Sequence, residues 1–200
     1  MVRGPPACAH WTPRVPTRSL QGMTATSDPT ATAWMASVRA LILRDLDTLD
    51  RQVAAYPDDA AIWALPAALP NSTGTLVLHL CGNLRHFVGA VLGHTGYVRQ
   101  RELEFSARDV DRATLRAAIV EARRDVEHSF AQIDAAQAVA PYPLEILKGT
   151  VERGDWITHL ATHLAYHLGQ VDFHRRIVTS QREGVDAIKS TAVASWRKLP

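Results

Sequence analysis

The chain has 200 residues, is 46% hydrophobic and carries a formal net charge of +2 with histidine neutral. That size suits one domain with a buried core, and the apolar share excludes a disordered chain. The small net charge, with no Lys/Arg block, argues against a nucleic-acid or membrane-surface partner. Cys8 and Cys81 are too few for a disulfide framework or a cysteine zinc ribbon. No apolar run is read as approaching the roughly 20 residues that span a bilayer, so a cytoplasmic protein is expected.

The opening stretch MVRGPPACAHWTPRVPTRSLQG is Pro-rich and lacks both apolar periodicity and the continuous apolar segment of a secretory signal. It reads as a disordered head, residues 1–26, and Met23 is an alternative translation start that mass spectrometry of the native N terminus would check. Ser27-Asp28-Pro29 is a helix opening. Trp34, Val38, Leu41, Ile42, Leu46 and Leu49 follow at helical spacing to about Tyr56, where Pro57 ends the element. Residues 58–70 read as a loop or short turn.

Asn71-Ser72-Thr73-Gly74 opens a second helix, with Leu76, Leu80, Leu84, Phe87, Val88 and Val91 on its apolar side, broken at Gly93-His94-Thr95-Gly96. Residues 97–110 are polar and read as irregular. A third helix starts at Asp111 or Arg112 and carries Leu115, Ile119, Ala122, Val126, Phe130 and Ile133; Pro141 and Pro143 close it off. The fourth runs from about Gly154 to Thr179, and the tail through Pro200 is either a short helix or loose. Four long helical patterns without strand alternation predict an all-α fold, a four-helix bundle with long inter-helix connections over residues 27–180, followed by a tail over 181–200.

The fourth helix holds the chemistry, in DWITHLATHLAYHLGQVDFHRR. On a wheel of about 100° per residue His159, His163 and His167 fall at about 0°, 40° and 80°, with Gln170 and His174 between them. Leu160, Leu164, Leu168 and Val171 make an apolar stripe alongside. His163 and His167, one turn apart, can reach one ion, and a third ligand must come from a facing helix. The second helix offers His79, with Asn83 and His86 on the same face; Cys81 faces away by about 200° and is a poor ligand. The alternative reading of these imidazoles is a hydrogen-bonded polar seam. His10, His94 and His128 read as loop or surface residues, and His174 as a complement to the helix dipole. The chain has no HExxH, no Glu-x-x-His, no phosphate loop and no G-x-S-x-G elbow.

The stretches NSTGTLVLHLCGNLRHFVGAVLGHTGYVRQRELEF and HLATHLAYHLGQVDFHRR resemble the DinB-like superfamily of four-helix proteins, over roughly residues 30–180. The second has the family's H-x3-H-x-G-Q form, in the HLGQ wording of one uncharacterised branch. The resemblance implies a divalent metal, Zn or Ni, held by His79, His163 and His167, with His86 the competitor of His79 and His159 outside the ligand set. Some relatives are transferases or isomerases using a low-molecular-weight thiol. The resemblance therefore implies a metal-dependent thiol S-transferase or hydrolase acting on a small electrophilic molecule, with a homodimer expected. The alternative is a non-catalytic metal-binding or stress-response protein. Gln170, Asn83 and Asp155 are candidates to orient the ligand imidazoles. Tyr97, Arg99 and Arg101 are candidates for holding an anionic substrate, or for a solvated loop.

Overall fold

The computed structural model describes residues 28–185 and 189–199. The expectations for the head, for Met23 and for His10 and Cys8 lie outside the described residues. Among the described residues the fold is all-α. Its helices are α1 (Pro29–Ala54), α2 (Asp59–Trp63), α3 (Thr73–Gly93), α4 (Arg101–Ser106), α5 (Arg112–Phe130) and α6 (Arg153–Thr179). The caps follow the sequence chemistry. The Asp28 carboxylate accepts from the Thr30 N–H at 2.8 Å with Pro29 in the first turn, Ser72 accepts from Thr75, and Asp111 accepts from Thr114. His94 ends α3 in the left-handed conformation, with φ 51°.

The four long helices pack in a ring, α1 against α5 and α6, and α3 against the same two, which puts α1 and α3 at opposite corners. Each contributes the apolar stripe read from its spacing. Ile42, Leu46 and Leu49 of α1, Leu80 and Leu84 of α3, Leu115, Ile119 and Val126 of α5, and Leu160, Leu164 and Val171 of α6 are all buried. The connections are long, as expected, but two of them are less irregular than their composition implies. Residues 58–70 contain α2, whose Ile62 is buried and whose Trp63 ring covers Gly74. Residues 97–110 contain α4, which packs on α3. The third connection is pinned by isolated bridges, Pro141 to Glu152 and Ile146 to Gly149.

Two further departures bear on the site. Within α3 the turns widen to a π-helix over Arg85–Ala90, directly beyond the His79–Asn83 turn. Also, contrary to the reading that no apolar run approaches a bilayer span, Thr73–Gly93 is long and apolar enough by length and composition; 67% of its most apolar window is buried inside the protein. At the far end of α6, the buried Arg175 donates to Gln52 of α1 at 2.7 Å and to the Glu183 carbonyl, so the first tail residues are tied down. The rest of the described tail forms one 3-10 turn, Ser190–Ala192, with Val193 and Trp196 exposed.

Candidate metal centre

The α3–α6 seam brings together the three histidines singled out from the sequence. One nitrogen from each of His79, His163 and His167 lies within 4.8 Å of the other two, and His79 Nε2 is 3.4 Å from His163 Nε2. His79 is buried; the two α6 residues are partly open to solvent. His159 stacks on His163 with ring centroids 6.0 Å apart, but its side chain is exposed and is not part of the cluster. His86 is not part of it either. Seven residues along α3 is about 10 Å of rise, too far for both histidines to meet the same α6 turn, and the His86 ring packs on Phe87 instead.

The hydrogen bonds behind the rings decide which nitrogens face the centre. His79 Nδ1 lies 3.0 Å from Glu104 Oε2 and His167 Nδ1 lies 2.7 Å from Gln170 Oε1. Both acceptors are oxygens, so each Nδ1 carries a proton and Nε2 is the nitrogen left to face the centre. Arg99 Nη2 also lies 3.5 Å from His79 Nδ1. That contact is at the limit of a hydrogen bond, and Nδ1 cannot both donate and accept in the ring plane, so the shorter contact to the carboxylate decides the tautomer. Burial, then the neighbouring His167, His79, His159 and Arg99, push the His163 pKa down to about 4. Burial also lowers that of His167, against the opposing Gln170 bond and with help from His79. The two α6 rings are therefore neutral near pH 7.

Neutral imidazole lone pairs facing one another repel unless a proton or a cation lies between them. The donor set fits a borderline cation such as Zn²⁺ or Ni²⁺.

Glu104 is the principal residue the sequence reading missed. It sits on α4, inside the stretch read as irregular, and is 5% exposed. Arg99 grips it twice, at 2.7 Å and 2.8 Å. Burial works against its charge, but the bonds from Arg99 and His79 outweigh this and hold the carboxyl below its usual range. Gly82 makes the approach possible, because a Cβ there would overlap the Glu104 carboxylate. Gly82, one turn past His79, was the only cue in the sequence, a gap in the helix surface without any indication of what fills it.

The other candidates separate cleanly. Gln170 orients His167 as expected. Asn83 is buried, but its Oδ1 has no partner and it makes no bond to an imidazole among the described residues. Asp155 is exposed in the first turn of α6 and likewise touches no ligand ring. Arg99 is committed to Glu104, Tyr97 lies under the Arg85 guanidinium at 4.3 Å, and Arg101 covers the Phe105 ring. Cys81 is buried away from the centre, its thiol pushed up to about 12 by burial. His174 does not act as a cation at the helix end. It is 1% exposed, its Nδ1 meets Tyr56 Oη at 2.7 Å and Thr73 Oγ1 at 3.1 Å, its Nε2 meets the Ala64 carbonyl at 2.7 Å, and burial lowers its pKa.

Among curated proteins none matches the chain. The family model of the DinB superfamily matches residues 49–171, a span that takes in His79, Glu104, His163 and His167, and the chain belongs to that superfamily.

Proposed function

We propose that this protein is a divalent-metal-dependent enzyme, a thiol S-transferase or hydrolase acting on a small electrophilic molecule, with His79, His163 and His167 as the metal ligands. The observation that carries the reading is the pair of Nε2 nitrogens, on His79 and His167, fixed toward one point by Glu104 and Gln170. When bound, a divalent cation supplies the charge that lowers the pKa of a thiol or water at a position the three imidazoles leave open. The chain's own part is to hold the ligands. Glu104 fixes the tautomer and basicity of His79, Gln170 does so for His167, and Arg99 balances the buried carboxylate. Phe105, 4.9 Å from the His79 ring, covers the α3 side of the centre with aromatic surface.

One feature favours a second reading. His79 and the α6 pair lie 84 residues apart in sequence, so an ion here also staples α3 to α6 without any substrate. Metal analysis of the purified protein, then chelation, a thermal melt and turnover, separates the two. The enzyme reading expects thiol conjugation of monochlorobimane with at least one of glutathione, mycothiol or bacillithiol, or hydrolysis of an activated ester, abolished by chelation. Loss of melting temperature with no turnover on any of these leaves the staple. The proposal includes a cytoplasmic location, where low-molecular-weight thiols stay reduced, and a homodimer, which light scattering tests.

A further inference from the structure

One turn beyond the metal ligands the α3–α6 seam opens into a cavity of about 290 Å³. One wall is the loop at Leu69 and Pro70 with Leu76 of α3. The other is the α6 face that carries Tyr166, Gly169 and Phe173. We propose that this cavity binds the apolar part of a small uncharged substrate, a proposal that rests on the enzymatic reading of the adjacent centre.

The argument has three parts. First, no Asp, Glu, Lys or Arg lines the cavity, and the His174 ring at its base has both nitrogens satisfied. Its polar side chains, Asn71 and Gln170, carry no charge to pair with an ionic guest, and the rest of the lining is mainly apolar, so the guest is neutral and largely apolar. The volume lies at the small end for ligand pockets.

Second, Gly169 has no role in the packing of this chain. A Cβ at that position would meet nothing within 4 Å, although glycine in a helix interior is less stable than alanine. Two large aromatics flank it and lie mostly in water, Tyr166 at 66% and Phe173 at 69% exposed. Missing bulk between two uncovered rings is the shape of a seat for an apolar group.

Third, the cavity is joined to the centre through one side chain. Gln170 lines it, and its Oε1 also accepts the hydrogen bond that His167 Nδ1 donates, at 2.7 Å. A guest lying there touches the group that sets the tautomer of a proposed ligand, which fits a substrate rather than an unrelated partner.

The test uses the full chain and N-phenyl-1-naphthylamine, an uncharged fluorescent probe. Saturable fluorescence enhancement is expected with the wild type and with His163→Ala. Gly169→Leu, which fills the cavity from its open side, should weaken binding at least about tenfold while metal content and melting temperature stay close to those of Gly169→Ala. In turnover, kcat/KM for alkyl electrophiles of growing chain length should rise roughly fourfold per methylene in the wild type and stay flat in Gly169→Leu. Equal probe affinity in Gly169→Leu, or no saturable binding at all, overturns the proposal. So does a change of molar mass in that variant without a change in probe binding, which would give the face to a second copy of the chain. If probe binding depends on Gly169 but the protein takes up no metal, the cavity stands and the metal reading falls.

Discussion

Along α6 the same residue type serves two sites that come out opposite, the His163–His167 pair and His174. At His174 every ring nitrogen has a protein partner, from Tyr56, Thr73 and Ala64, and the side chain is sealed. At His163 and His167, about three and two turns earlier, Gln170 binds the His167 ring from behind, while His163 Nε2 meets His79 and the three rings gather at one point. The first is a hydrogen-bonded strut that joins α6 to α3 and to the chain just beyond α1 and α2, as complete as a buried polar group has to be. The second leaves ring nitrogens facing one another, an arrangement that a shared proton or a cation completes. Counting partners for each nitrogen, rather than counting histidines, tells a site from a strut.

The sharpest way to break this comparison is to remove one ring from each cluster. His163→Ala should take bound metal from roughly one ion per chain to near zero by elemental analysis, with little change in the melt of the metal-free protein. His174→Ala should do the reverse. It takes the acceptor from the buried Tyr56–Thr73 hydroxyl pair and the donor from the Ala64 carbonyl and opens a cavity, at a cost of about 2–4 kcal/mol in chemical denaturation, with metal content unchanged. If both variants lose metal, or both lose only stability, the two clusters are not different in kind.

Glu104→Gln tests the support behind the centre. The amide keeps the shape but removes the charge that Arg99 and His79 share, so metal affinity should fall about 10–100-fold in a competition titration. An unchanged affinity would reduce Glu104 to a structural anchor for α4.

A smaller effect follows from pH. His163, His167 and His174 all have pKa values lowered below the ordinary 6.5, in His163 to about 4. Below about pH 6.5 the unfolded chain binds protons that the folded chain refuses, so stability from these groups is fully present above that pH. It declines as pH falls toward about 4, where His163 takes its own proton. Denaturant midpoints of the metal-free protein measured between pH 8 and 4 should fall in that direction, less steeply in His174→Asn. A midpoint that rises on acidification would contradict the burial of these rings.

The smallest expected change is Gly169→Ala, which should stabilise the protein by about 0.5–1 kcal/mol, because alanine is the better helix residue and the position is open.

Much of the molecule was legible in its sequence because helices write their buried face at a spacing of 3.6. The apolar positions of all four long helices and the shared face of His163 and His167 could be read from that period, and so could the capping signals at Asp28, Ser72 and Asp111. What periodicity cannot carry is the relation between segments. α4 is six residues long, too short for a period to show, so a polar stretch concealed the buried carboxylate behind His79. The choice of His79 over His86 depended on the height at which α3 meets α6, and the two share a face on any helical wheel. His174 falls on the polar stripe too, yet only the arrival of Tyr56, just beyond α1, and of the Ala64 carbonyl makes it a strut.

The sequence by itself determined which residues form helices and which face of each turns inward, since both depend on interactions between residues three or four apart. Tertiary structure alone decided which polar groups find partners, because a hydrogen bond across 25 or 118 residues is set by where the packed cores bring two backbones together.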